Sequence, residues 1–267
     1  MGDNETGQVS GDAAKIYEEF YLPALFEEWS PLVVEATQMQ KGHRVVDVAC
    51  GTGALTIVVS EQIGPEGSVV GVDINEGMLN IAKTKAPQID WQIAPAESLP
   101  FEDSSFDYAV CQFGLMYFEN QNNALREMTR VLRPGGSLAV VVWDKLENNP
   151  GLAAEDQLWQ QVFGEDAADE VPYNLGDIQV LKRLFTSSGI ADAEIKTHSG
   201  TARFSSIENW IYTGVKGWTQ DDTISDDQLE LLLNKAQKQL TSFETSEGTV
   251  AFPTSAHIVK ARKQFNR

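Results

Sequence analysis

The chain has 267 residues, 42% hydrophobic and 22% charged, with a formal net charge of −19 and two cysteines. That length buries a sizeable core as one large α/β domain or as a core with an inserted cap. The charge argues against partners that need a positive footprint, nucleic-acid backbones and anionic membranes among them, and it allows a cationic ligand.

No apolar run approaches the roughly 18 residues of a membrane span. The polar start "MGDNETGQVSGD" does not read as a secretory signal, and Met1 and Gly2 alone make too little of a myristoylation pattern. Cys50 and Cys111 stand in apolar, strand-like surroundings without metal-ligand spacing. The expectation is therefore a reducing cytoplasm, no metal, and a monomer or homodimer.

In chain order, "AAKIYEEFYLPALFEEW" (13–29) predicts an aromatic-rich helix ahead of the first strand. Strand-like runs follow: "RVVDVA" (44–49), "SVVGVD" (68–73), "DWQIA" (90–94), "FDYAVCQF" (106–113) and "SLAVVVW" (137–143). Their near-continuous apolar character suits a parallel sheet covered on both faces. Between the last two, "LREMTRVL" puts Leu125, Met128 and Leu132 on one helical face, and "RPGG" (133–136) is read as the stop. Strands alternating with helices imply right-handed βαβ units. After Trp143 the rhythm changes. Residues 147–188 read as two helices, the second ending at Gly189, and 191–204 as a strand. The stretch 225–243 is an amphipathic helix with Ser225 as N-cap, and "SAHIVKARKQ" is a final strand.

The informative turn is "VVDVACGTGALT" (45–56), a strand, a glycine-bearing turn and a helix start. A dinucleotide turn wants G-x-G-x-x-G, and Gly51 and Gly53 supply two glycines while Thr56 stands at the third. A phosphate loop wants a lysine, yet no lysine or arginine lies between Arg44 and Lys83. Asp47, in the strand before the glycines, would repel phosphates and attract a cation. Asp73, at the end of the second strand, stands where a carboxylate accepts both hydroxyls of a ribose. An adenosine without a pyrophosphate, carrying positive charge near Asp47, fits these residues. S-adenosylmethionine meets that description.

At this point the sequence resembles the class I S-adenosylmethionine-dependent methyltransferases, most closely the branch with the ubiquinone/menaquinone C-methyltransferases. "VVDVACGTGALT", "VVGVDINEGML", "APAESLPFEDSSFDYAVCQFGLMYF" and "REMTRVLRPGGSLAVVVW" match four of its motifs in order, over about residues 40–145. Ala49 replaces the usual first glycine, and Pro95 stands where relatives carry an aspartate. The resemblance implies a Rossmann-like seven-stranded α/β fold, mostly parallel, with an antiparallel hairpin of last strands and helical cap insertions. It implies one domain over 1–267: an N-terminal helical lid (10–40), a cofactor core (41–145) and caps at 146–188 and 203–246.

It further implies roles for individual residues. Ala49, Gly51, Thr52 and Gly53 would pass beside the methionine part, with the helix start near Ala54 facing its carboxylate. Asp47 would hold the ammonium and Asp73 the ribose. Ile74 and Met78 would sandwich the adenine, Ala96 and Glu97 would line its edge, and Gln112 would face the methionine or the methyl group. S-adenosyl-L-homocysteine would be the product.

Acceptor residues are expected on carboxyl-end loops and the caps, because open α/β sheets place ligands there. Tyr21, Tyr117, Trp143 and Asp144 are the substrate candidates. Tyr17 is the first choice for a contact near the methyl group, and His198 is the candidate general base among His43, His198 and His257. The aromatics of "ENWIYTGVKGW" in the second cap suggest an apolar roof over a small-molecule acceptor. The rival readings are an S-adenosylmethionine-binding regulatory or partner subunit without transfer activity, and a nicotinamide oxidoreductase.

Overall fold

The protein is described by a computed structural model over residues 11–165, 170–217 and 224–264. Met1, Gly2, residue 10 of the expected lid, 166–169 of the first cap and 218–223 of the second, with Trp218, lie outside them.

Seven strands make one sheet: β1 (Arg44–Val48), β2 (Ser68–Asp73), β3 (Asp90–Ile93), β4 (Phe106–Gln112), β5 (Leu132–Trp143), β6 (Glu194–Phe204) and β7 (Val250–Arg262). Their order is β3-β2-β1-β4-β5-β7-β6. β1 to β5 run parallel, and β7 lies antiparallel between β5 and β6. This is the expected mixed sheet with its closing hairpin. The central strands are apolar on both faces: Val45, Val46 and Val48 of β1, and Val140 to Val142 of β5, are fully buried. Helices on both sides explain why those runs read as continuous rather than alternating. The order reverses between β1 and β4, whose carboxyl-end loops lead away in opposite directions and open a crevice there.

Nine helices are described: α1 (Gly11–Ile16), α2 (Trp29–Thr37), α3 (Ala54–Ile63), α4 (Glu76–Lys85), α5 (Gln121–Val131), α6 (Pro150–Phe163), α7 (Ile178–Ser187), α8 (Ile207–Gly217) and α9 (Asp226–Gln239). Side-chain caps fix several of their starts. Asn75 accepts from the Met78 amide at α4, and Asp177 from the Gln179 and Val180 amides at α7. Ser225 is the N-cap of α9 expected from sequence, and Gln228 completes a reciprocal capping box with it.

Two boundaries differ from the sequence reading. The expected helix over 13–29 is α1 followed by a wide-turned π-helical stretch, Tyr17–Phe26, before α2 begins. Pro23 lies inside that stretch and cannot donate to an ordinary i−4 carbonyl. The wider register absorbs the defect, with the Glu27 amide reaching back to Leu22 O at 3.0 Å. The segment "RPGG" ends α5 but belongs to β5, which starts at Leu132 and bulges against β4. The Lys263 ammonium fastens this bulge by donating to Leu132 O at 2.6 Å and Arg130 O at 3.1 Å.

The helices α6, α8 and α9 pack together beyond the sheet, and α8 also packs on α1 and on the π-helical stretch. Trp210, fully buried on α8, donates to the buried Glu155 carboxylate of α6 at 2.8 Å. No helix among the described residues is long and apolar enough to cross a membrane.

Candidate active site

The carboxyl end of β1 delivers Asp47 and then a backbone that few side chains tolerate. Ala49, Gly51 and Gly53 all have positive φ, at 57°, 55° and 85°. Ala49 thus holds the left-handed conformation of the glycine it replaces, at a cost of about 1–3 kcal/mol. Gly53 is required for a second reason, since a Cβ there would come within 2.5 Å of the Trp91 ring.

The turn is sewn to β2. Cys50 N donates to Val72 O at 3.0 Å and Gly51 N to Asp73 Oδ2 at 2.8 Å, while Asn75 N donates to Asp73 Oδ1 at 2.8 Å. The Asp73 carboxylate therefore fixes two loops at once. Burial raises its carboxyl pKa, and the amides it accepts oppose that rise. Asp47 is 1% exposed, and it accepts from the Thr56 hydroxyl at 2.6 Å, with the Thr56 amide also bonded to it. Burial pushes its carboxyl up to about 7. Thr56 is the residue that spoils the dinucleotide pattern, and here it anchors Asp47. That partnership explains the missing third glycine.

Two cavities meet around this turn. The larger, about 260 Å³, runs from Asp73, Ile74 and Met78 past Ala96 and Glu97 to an aromatic end at Phe26, Phe113, Tyr117 and Trp143. The smaller, about 50 Å³, lies between Asp47, Thr52, Ala54 and Gln112. The Thr52 hydroxyl is buried there and has no hydrogen-bond partner among the described residues. Tyr17, Ala49, Gly51 and Gln112 border both spaces. Burial, with Glu18 and Asp73 nearby, raises the Tyr17 phenol far above its ordinary value, so it stays protonated.

At the aromatic end, Phe113 stacks on Trp143 at 4.2 Å, and Phe26 meets them at 5.3 and 5.8 Å. Phe113 also has a positive φ, 55°, which a bulky side chain adopts only where its surroundings hold it there. Among the described residues, no lysine, arginine or histidine lines the larger cavity.

Of the residues singled out from sequence, Gly53 borders neither cavity but caps α3. Tyr21 packs behind the wall, edge-on to Tyr17 and Phe26 at 6.1 and 5.5 Å. Asp144 belongs to a buried network instead. It accepts from Ser255 and Asn148 at 2.8 and 3.0 Å and sits 3.1 Å from the His257 ring. His198 pairs with Ala256 on the outer strand β6 and borders none of the described cavities. Among the described residues, neither cap range contributes a lining residue to the larger cavity, which Tyr17 and Phe26 of the lid border. Sequence reasoning missed Phe26 and Phe113. Phe113 was within reach, because it directly follows Gln112 at the end of β4.

A sequence model of the ubiE/COQ5 methyltransferase family matches residues 24–202. A demethylmenaquinone methyltransferase of Staphylococcus carnosus is 34% identical over 188 residues, 64% of this chain and 78% of its own. One of Staphylococcus aureus is 30% identical over 227 residues, 75% of this chain and 92% of its own. Among solved structures, a phosphoethanolamine N-methyltransferase 2 of Haemonchus contortus in complex with S-adenosyl-L-methionine superimposes with a TM-score of 0.63. That match covers 96% of this chain and 58% of the other at 15% identity, a likeness of fold.

Proposed function

The chain belongs to the ubiE/COQ5 methyltransferase family and is an S-adenosylmethionine-dependent enzyme acting on a small molecule, and we propose that its acceptor is a flat, uncharged ring. The observation that carries this reading is the wall of Phe26, Phe113 and Trp143, at the far end of the cavity from Asp73 and Ile74 and free of cationic side chains. Rings offer a flat acceptor dispersion and edge contacts. They offer nothing to a phosphate, which needs arginine or lysine.

The residues present fit the cofactor. Asp47 is a buried carboxylate with no cationic partner among the described residues, and the unpartnered Thr52 hydroxyl lies beside it. An ammonium and a carboxylate would satisfy both, the latter also facing the amides at the start of α3. Asp73 would turn its remaining lone pairs to ribose hydroxyls, beyond the amides of Gly51, Ile74 and Asn75 that it accepts. Ile74 is 56% exposed at the rim, a flat apolar surface opposite Met78 for an adenine. Ala96 and Glu97 border the same cavity. Glu97, whose carboxylate also accepts from Asn120 N at 3.3 Å, would be the side chain to meet the adenine edge in place of the carboxylate that Pro95 lacks.

When bound, S-adenosylmethionine supplies a methyl group on a sulfonium, already activated for in-line displacement. The work left to the protein is alignment and exclusion of water. Tyr17, held neutral, donates a hydrogen bond near the transfer point and does not act as a base. Tyr117 and Trp143 bound the acceptor's place. The −19 charge supports a neutral or cationic small molecule over nucleic acid.

Release of S-adenosylhomocysteine across an acceptor panel tests the reading. The panel holds demethylmenaquinone, the compound in the staphylococcal relatives' names, with simple naphthols, catechols and phosphoethanolamine. Turnover is expected with ring compounds. Turnover with phosphoethanolamine alone would overturn the proposal.

A further inference from the structure

Where the π-helical stretch gives way to α2, one backbone carbonyl is left over. Phe26 O should be taken by the amide four or five residues on. The Ser30 amide is already spent on Glu27 O at 3.3 Å, and residue 31 is Pro31, which has no N–H. The partner comes from the core: Gln112 Nε2, at the end of β4, donates to Phe26 O at 3.2 Å. The other half of the same carboxamide, Gln112 Oε1, accepts from the Ser30 hydroxyl at 3.2 Å, and Ser30 is 1% exposed. The Phe26 carbonyl fixes the orientation of the amide, because a flipped group would set oxygen against oxygen.

We propose that Gln112 is a positioning residue for the acceptor: its carboxamide fastens the lid to β4 and so sets where the Phe26 ring closes the aromatic wall. This rests on the reading of that wall as the acceptor's seat. Gln112 borders both cavities, yet its described donor and acceptor bonds both go to the lid. The latch ties Phe26 to the residue that precedes Phe113, so the wall is held from two sides. Phe26 stacks on Tyr17 at 5.6 Å on the lid, and Phe113, next to Gln112, stacks on Trp143. A slip of the Phe26 backbone would part these rings while leaving the Asp47 and Asp73 contacts in place. The latch therefore acts most directly on the acceptor wall, while Tyr17 and Leu22 of the same lid also border the small cavity beside Asp47.

Two variants test it. Gln112→Met keeps the length and loses both bonds, whereas Ser30→Ala loses one and borders no described cavity. Amide exchange with S-adenosylhomocysteine bound reads the lid directly, whatever the acceptor proves to be. Exchange across 17–26 should rise about tenfold in Gln112→Met and about threefold in Ser30→Ala, with 47–53 unchanged. The KM for the acceptor should rise in the same order. Affinity for S-adenosylhomocysteine should stay within twofold in Ser30→Ala, which borders no described cavity, and fall by less than the KM rises in Gln112→Met. Faster lid exchange without turnover of any ring compound by the unaltered enzyme would sustain the latch and remove the ring acceptor. Unchanged lid exchange in both variants, or a tenfold loss of S-adenosylhomocysteine affinity without faster exchange, would overturn the latch.

Discussion

At one end of the larger cavity a single carboxylate, Asp73, gathers the amides of Gly51 and Asn75. At the other end, rings of Phe26, Phe113 and Trp143 hold one another at 4.2 to 5.8 Å. The first arrangement depends on direction and charge, so each residue type is dictated. The second depends on volume and flatness, which several apolar side chains can supply. A fixed cofactor and an exchangeable acceptor would be expected from such a cavity, and substitutions at the two ends should separate along that line.

The largest effect belongs to the polar end. Asp73→Ala leaves these amides without their acceptor and removes the ribose partner, and calorimetry should show S-adenosylhomocysteine affinity down about 100-fold. Affinity within threefold of the unaltered protein would erase the distinction between the ends.

Asp47→Asn follows, with about a tenfold loss and a changed pH profile. Because burial raises the Asp47 carboxyl to about 7, the group is neutral below that pH and charged above it. Affinity for the ammonium-bearing cofactor should therefore climb as pH rises through about 7, and the slope should vanish in the variant. The same raised value makes folding bind a proton more tightly, so Asp47 stability is present at low pH and lost as pH rises towards 7.

At the aromatic end, Trp143→Phe should raise the acceptor KM about fivefold and leave cofactor affinity within twofold. A matching loss of cofactor affinity would mean that the ends are not separable. The smallest change is expected from His198→Ala, less than twofold in kcat, since the side chain stands on an outer strand away from the cavity. A loss of 100-fold or more, measured at saturating acceptor, would restore His198 as a general base.

The same contrast explains what could be read from the sequence. Asp47, Gly51, Gly53 and Asp73 occupy fixed spacings because the turn's backbone geometry and the amides that Asp73 accepts demand them, and the fold followed from the strand runs around them. The aromatic wall has no such signature. Phe26 comes from a segment whose register Pro23 alters, so ordinary helical spacing misplaces its face. Asp144 had the right address, just past a strand's carboxyl end, but its oxygens are committed to Ser255 and Asn148, an arrangement set by a strand over a hundred residues later. The aromatics of the second cap pointed to a roof, yet α8 packs on the lid and not over the cavity. Spacing along the chain identifies what must meet a backbone. It does not identify which rings will meet each other.

The place of β7 bears on how the molecule comes into being. Residues 250–262 form an interior strand, flanked by β5 and β6, and Trp143 pairs with Ala256 across that seam. During synthesis the whole cofactor end leaves the ribosome while β5 still lacks its second neighbour and β6 has none. A nascent chain therefore has Asp47, Gly51 and Asp73 in hand before the strand that carries Trp143 has its second neighbour. Closing that gap requires contacts of long sequence separation, the slowest kind to form.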